Sequence, residues 1–252
     1  MATKTDGSGD KKVAGAAVKK TETGAEKPSP KASPDEVYRS IVEAIVDQRL
    51  PPGTRLNELA MCEVFGISRR EMERVFVRLS FEGMVNTIAN RGAFVASPDA
   101  QEARAIFAAR KAIEAGIVEL VAARASGADF KLLERNIAEE DTHRRAGRMR
   151  EAIRLSGQFH LLLSEVAGNA ILADQVRQLV ARTSLVTSLY ENATEMGCWH
   201  DDHSKLIGHL RAHRAKRAVE LMRTHLDDLE ESLDLGKKTS AKTDLRAIFK
   251  PI

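Results

Sequence analysis

SRREMERVFVRLSFEGMVNTIANRGAFVA, residues 68–96, reads as one helix followed by a tight two-stranded ribbon. Ser68 with Glu71 three residues on is a capping box, so a helix is expected to start at Arg69. Met72, Val75, Phe76 and Leu79 follow at i, i+3, i+4 and i+7 and give that helix one apolar face. Gly83 ends it. Met84-Val85 and Ala93-Phe94-Val95 are short strand-like runs, and Ala89-Asn90-Arg91-Gly92 between them has turn chemistry. Upstream, Leu56 to Phe65 reads as a second short helix, with Gly66-Ile67 as the joining turn. Together these make a winged helix-turn-helix, whose second helix has the place of one that enters a major groove.

Working outward, Ser33-Pro34-Asp35-Glu36 starts an earlier helix with Pro at its first position. Val37, Ile41, Ala44 and Ile45 form its buried face, Leu50-Pro51-Pro52-Gly53 is expected to end it, and Asn57 caps the next helix. Ser97-Pro98-Asp99 is a boundary. Beyond it helices are expected at 99–125, 128–146, 149–167, 169–194, 200–213 and 215–235, broken at Ser126-Gly127, Gly147, Gly168-Asn169, Gly197 and the Ala212 to Lys216 turn. Short connections make these an antiparallel bundle. The fold class is therefore mainly α: a winged helix-turn-helix over 33–96 and a helical effector-binding and dimerisation domain over 99–235. Residues 1–32, rich in Lys, Thr, Gly, Ala, Ser and Pro, read as a disordered tail. Residues 236–252 form a second polar tail, whose Leu245, Ile248 and Phe249 have no partner assignable from sequence.

With 252 residues there is room for one large domain or two ordinary ones, and no apolar run is long enough to span a membrane. The Lys-rich start does not read as a secretory signal, and Cys62 and Cys198 fit no paired framework, so a reduced, cytoplasmic setting is expected. Net charge is +3, and the tail accounts for it: residues 1–34 hold seven Lys against four carboxylates. Residues 35–95 carry eight Arg, no Lys and nine carboxylates, so bulk charge does not argue for nucleic acid and any positive footprint is local. Arg70, Arg74 and Arg78, at i, i+4 and i+8, make one exposed row on the Ser68 helix.

LPPGTRLNE (50–58), FGISRREMERVFVRLSFEGMV (65–85), NRGAFVA (90–96), FAARKAIEAGIVELVA (107–122), FHLLLSEVAGNAIL (159–172) and DHSKLIGHLRAHRAKRAVELMRTHL (202–226) carry a family likeness. Over about residues 34–235 the chain resembles the GntR family of bacterial transcription regulators, in the branch with a FadR-type C-terminal ligand-binding domain, FCD. The resemblance implies a homodimer on a double-stranded DNA operator, with a bundle that holds a small organic acid, frequently beside a metal ion.

In that family the recognition helix opens with Ser-Arg, and a second Arg follows four residues later. Ser68 and Arg69 match, but the second position here is Glu73, with Arg74 beside it. A carboxylate repels phosphate, although it can accept from a cytosine amino group. The candidate DNA contacts are Ser68, Arg69, Arg70, Arg74, Arg78 and, where the family's wing meets the minor groove, Arg91 and Gly92. The other reading of these residues is a solvated helix face with i,i+4 ion pairs. Cys62, at the packing of the two helices, reads as a buried, inert thiol.

The FCD pattern places metal ligands as an Asp and a His four apart on one helix, then a His on each of two later helices. The three histidines here are His160, on a face expected to bury Ile153, Ser156, His160 and Leu163; His203, with Leu206, Ile207 and Leu210; and His225, with Leu221, Met222 and Leu229. Three converging neutral imidazoles suit Zn, Ni or a similar divalent ion. Ser156 stands where the family has Asp, so a metal is implied less strongly, and an anionic effector would supply part of the missing charge. The competing reading is three buried, hydrogen-bonded histidines. Arg110 and Glu114 match the family's Arg-x-x-x-Glu: Arg110 can clamp an effector carboxylate or simply pair with Glu114. Arg110 and Ser156 are the candidate effector contacts. His209 and His213 read as surface, Cys198 as no ligand, and Trp199 as a packing anchor.

The function expected is a ligand-responsive DNA-binding transcription regulator and not an enzyme. Two alternatives stand beside it: a DNA-binding dimer without metal or effector, and a metal-dependent hydrolase, which lacks a general base at Ser156.

Overall fold

The computed structural model describes residues 32–190, 200–236 and 245–249. The expected N-terminal tail up to residue 31, the helix end beyond 190, Cys198 and Trp199 lie outside them. The N-terminal head comprises α1 (Pro34–Val46), β1 (Arg55–Leu56), α2 (Glu58–Phe65), α3 (Arg69–Phe81), β2 (Val85–Ile88) and β3 (Gly92–Val95). Each helix starts where a polar side chain satisfies an orphan amide. Ser33 and Glu36 form a reciprocal capping box, as do Ser68 and Glu71, and Asn57 accepts from the Ala60 amide at 3.1 Å. Gly66 ends α2 at φ +65°, the left-handed conformation that lets the chain turn straight into Ser68.

Two features differ from the expectation. The helix α1 ends at Val46, before the proline pair, because Gln48 takes φ +54° and the Arg49 and Leu50 amides fold back onto the Ala44 carbonyl. The strand β1 is new: Arg55 and Leu56 pair with Phe94 and Ala93, so the sheet order is β1-β3-β2. Two residues are too few for any alternation to register.

The bundle follows as α4 (Ala100–Arg124), α5 (Gly127–Arg145), α6 (Met149–Val166), α7 (Ala170–Tyr190), α8 (His200–Arg211) and α9 (Ala215–Glu231). Its core is built around Val118, Leu133, Phe159, Leu163, Val176 and Leu226, all buried. The buried face of α6 is Ala152, Leu155, Phe159, His160, Leu163 and Ser164, while Ile153 and Ser156 are half-buried. The face is turned from the expected one because Phe159 sits at the bundle centre, its ring stacked on His203 at 4.0 Å.

The two parts share α7. Ala181 and Leu185 of this helix enter the head's core beside Ile41 and Leu79, whereas Val176 and Val180 belong to the bundle's. Tyr190 Oη donates to the Pro98 carbonyl at 3.0 Å, and Gln48 Nε2 to Thr187 Oγ1 at 3.5 Å. A short helix α10 (Leu245–Ile248) returns to the head, where Phe249 is buried against Phe65 with ring centroids 5.2 Å apart.

Candidate DNA interface and metal centre

The capping box orients the N-terminal end of α3 outward, with Ser68, Arg69 and Arg70 exposed. Met72, Val75, Phe76 and Leu79 are buried beneath, which leaves two rows of exposed side chains. Arg69, Glu73 and Val77 line a groove with Arg55 and Asn57, and with Thr87 and Gly92 of the wing. Arg70 and Arg74 occupy the neighbouring row and are exposed. Arg78 continues that row, but its guanidinium lies 3.1 Å from Asp35, 3.2 Å from Glu82 and 3.5 Å above the Tyr38 ring centroid. Tyr38 donates to the other Glu82 oxygen, and burial followed by this carboxylate pushes its hydroxyl up to about 12. Arg78 thereby ties α3 to α1. At the wing tip Asn90 has φ +61°, Arg91 is exposed and its guanidinium lies 5.9 Å from the Phe94 ring centroid. Cys62 is a half-buried free thiol, and burial raises its pKa.

In the bundle, helices α6, α8 and α9 bring His160, His203 and His225 together, all buried, with potential ligand nitrogens within 4.8 Å of one another. The ring centroids are 5.2 Å apart for His160–His203, 5.4 Å for His160–His225 and 4.8 Å for His203–His225. Burial pulls all three imidazoles below their ordinary pKa, toward the neutral form that binds metal.

Each imidazole has a carboxylate behind it. Glu114 Oε2 lies 2.5 Å from His160 Nδ1, Glu140 Oε2 3.4 Å from His203 Nδ1, and Asp202 Oδ2 3.6 Å from His225 Nδ1. A carboxylate on the outer nitrogen is the arrangement that orients a ligating imidazole and leaves its other nitrogen for an ion. The three carboxylates are matched by cations: Glu114 by Arg110 at 2.7 Å, Glu140 by Arg144 at 2.5 Å and Asp202 by Lys205 at 3.4 Å. Burial alone would raise Glu114, but Arg110 and His160 hold it down to about 2.

The hydrogen bonding is incomplete. Nε2 of His203, Oδ1 of Asn136 and Nη2 of Arg110 are buried without a hydrogen-bond partner, and the contacts of Glu140 with His203 and of Asp202 with His225 are long, at 3.4 and 3.6 Å. Such groups cost free energy unless an ion, water or ligand completes them. The donor set of three buried, neutral imidazoles therefore fits a divalent metal. Of the candidate effector contacts, Arg110 is buried, giving Nε to Glu114 and Nη1 to Thr183 at 3.4 Å, while Ser156 is half-buried one turn before His160. His209 is half-buried and His213 exposed, and neither joins the cluster. A narrow crevice lined by Asp202, His203, Leu206, Leu221, Met222 and His225, too tight for a water molecule, borders two of the three imidazoles.

Sequence reasoning missed Glu140 and Asp202. Asp202 adjoins His203 in the chain, which was a usable signal. Glu140 sits in the acidic run Glu139-Glu140-Asp141, where nothing distinguishes the one carboxylate that turns inward.

A winged head with an exposed recognition helix, packed on an all-α bundle with a buried histidine cluster, defines a DNA-binding regulator with a potential sensory domain. The chain belongs to the GntR family of bacterial regulatory proteins, matched over residues 34–95, and carries an FCD domain, matched over 105–228. It is 22% identical over 199 residues to the HTH-type transcriptional repressor RspR of Escherichia coli (strain K12), covering 79% of this chain and 87% of that protein. It is 28% identical over 139 residues to the Nta operon transcriptional regulator of Aminobacter aminovorans, covering 54% and 65% of the two. The fold is that of the putative transcriptional regulator GntR from Rhodococcus sp. RHA1, with a TM-score of 0.69 at 22% identity, covering 79% of this chain and 95% of that one. E. coli McbR/YncC matches with a TM-score of 0.68 at 18% identity, over 80% and 95% of the two chains. The relatives are transcription regulators and not enzymes, and no described helix is long and apolar enough to cross a membrane. The chain is a DNA-binding transcription regulator of GntR/FCD type.

Proposed function

We propose that this regulator works as a homodimer whose bundle senses a small carboxylate through a divalent metal held by His160, His203 and His225. The observation that carries this reading is the cluster itself: three imidazoles converge within 4.8 Å, and the buried Nε2 of His203 has no hydrogen-bond partner. A purely structural histidine core would satisfy that nitrogen.

Charge supports the effector class. The carboxylates behind the imidazoles are already matched by Arg110, Arg144 and Lys205, and Ser156 brings no negative charge. A bound divalent ion is therefore left to be neutralised from outside, which favours an anion, and the free Nη2 of Arg110 offers it a second contact. The metal would supply an open coordination position for that carboxylate. The crevice has no room even for a water molecule, against the roughly 300–1,000 Å³ of usual ligand pockets, so binding an acid requires α8 and α9 to part. Effector binding then changes the packing around α7, which belongs to both cores, and the two head arrangements differ in affinity for the acid.

At the operator, Ser68, Arg69, Arg70, Arg74, Arg91 and Gly92 make the DNA contacts. Arg78 was a candidate for the same surface, but its pairing with Asp35, Glu82 and Tyr38 favours a role in holding α3. The test is elemental analysis of the purified protein, together with fluorescence-anisotropy titration against duplexes flanking its gene at two salt concentrations. About one divalent ion per chain and sequence-selective binding released by small acids are expected. Absence of metal after growth and dialysis with Zn or Ni would favour a DNA-binding dimer without metal.

A further inference from the structure

The groove on the head is lined from α3 by Arg69, Glu73 and Val77, which follow one another at four-residue spacing. Along this line the recognition helix presents a hydrogen-bond donor, an acceptor and an apolar surface. Glu73 is exposed and, among the described residues, has neither an ion pair nor a hydrogen bond. Several other carboxylates of the head are engaged: Glu58 with Arg69, Glu71 with Ser68, Asp35 and Glu82 with Arg78. Glu73 alone among these groove and α3 carboxylates is left to point an unmatched acceptor into the space that a duplex fills.

The groove lies between the recognition helix and the wing, with Thr87 and Gly92 opposite. Phosphate contact suits Arg70 and Arg74 in the neighbouring row, and Arg91 at the wing tip. A carboxylate among these arginines loses its water on docking and must find a donor, or it weakens every complex equally. In the major groove cytosine offers its N4 amino group as a donor. Adenine also has an amino donor, but with the N7 acceptor beside it, which repels a carboxylate.

We infer that Glu73 is a base-reading residue that accepts a hydrogen bond from a cytosine amino group in each half-site. This rests on the head's DNA-binding role and adds the base it selects. Arg69, one turn earlier on the same line, then faces an adjacent step of the groove, where a guanidinium pairs with guanine.

The experiment is selection of duplexes from a random pool by the full-length protein and by Glu73→Gln and Glu73→Ala variants, each checked for folding by circular dichroism. The parent enriches a symmetric site with an invariant cytosine in each half. Glu73→Gln moves that position toward adenine, which a carboxamide contacts through N6 and N7. Glu73→Ala loses the preference there, so the ratio of affinities for cytosine and its replacements falls by roughly 10-fold. Enriched sites identical in parent and variants would overturn the role of Glu73 and leave DNA recognition by the head intact. Failure of the parent to enrich any site would overturn both.

Discussion

Glu114 of α4 holds His160 of α6 at 2.5 Å through Nδ1, while its other carboxylate oxygen accepts from Arg110 Nε at 2.7 Å. This one side chain links Arg110, the proposed effector contact, to one of the three imidazoles. Glu114→Gln keeps the size but removes the charge that orients and enriches His160. Metal affinity, measured by competition with a fluorescent chelator, is expected to fall about 10- to 100-fold. An unchanged affinity would mean that Glu114 does not orient His160 as a ligand.

His160→Ala combined with His225→Ala leaves a single imidazole. Metal content by elemental analysis is expected to drop to background, and the rise in melting temperature expected of the parent on addition of Zn is expected to be lost. Operator binding without effector stays measurable, because neither residue touches the head. Equal metal content in variant and parent would remove the site.

Arg69→Ala and Arg78→Ala separate contact from scaffold. Arg69 lines the groove, and its loss is expected to cost about 1–3 kcal/mol of operator binding with unchanged thermal stability. Arg78 joins α3 to α1 through Asp35, Glu82 and Tyr38, so its loss lowers the stability of the head. Its ion pairs are about half exposed and screened, and the expected cost is only about 1 kcal/mol. Denaturant melts and anisotropy titrations of both variants give the two numbers.

Gly83→Ala probes the junction of head and bundle. The backbone there has φ +72°, and a Cβ would meet Arg182 Nε at 3.2 Å. The left-handed backbone alone predicts a loss of about 1 kcal/mol or more, read as a shift in the denaturation midpoint.

Phe249→Ala removes the ring that α10 places against Phe65. The docking is peripheral, so a destabilisation of about 1–3 kcal/mol is expected, confined to the head and detectable as faster amide exchange in α2. No change in exchange would mean that this segment does not hold the head.

Much of the architecture was legible because its signals are local. Capping boxes at Ser33 and Ser68, the Asn57 cap and the i, i+3, i+4 spacing of Met72, Val75, Phe76 and Leu79 each operate within one or two turns. The three histidines were legible only through the family pattern, since their spacing in the chain carries no local signature. The α6 face was misjudged by about one position, because periodicity marks a stripe but not which residue meets the bundle centre. Phe159 takes that place by stacking on His203 from a helix more than forty residues further along.

From the sequence alone came a winged helix-turn-helix followed by a helical bundle, the caps that start the helices of the head, and the departures at Glu73 and Ser156. Folding in three dimensions decided which charges are spent and which are free. It committed Arg78 to α1, left Glu73 unmatched in the groove, set Glu114, Glu140 and Asp202 behind the imidazoles, and returned Phe249 to the head. The reason is range: caps and periodicity act between near neighbours in the chain, whereas charge pairing and desolvation depend on what distant helices bring within a few ångströms.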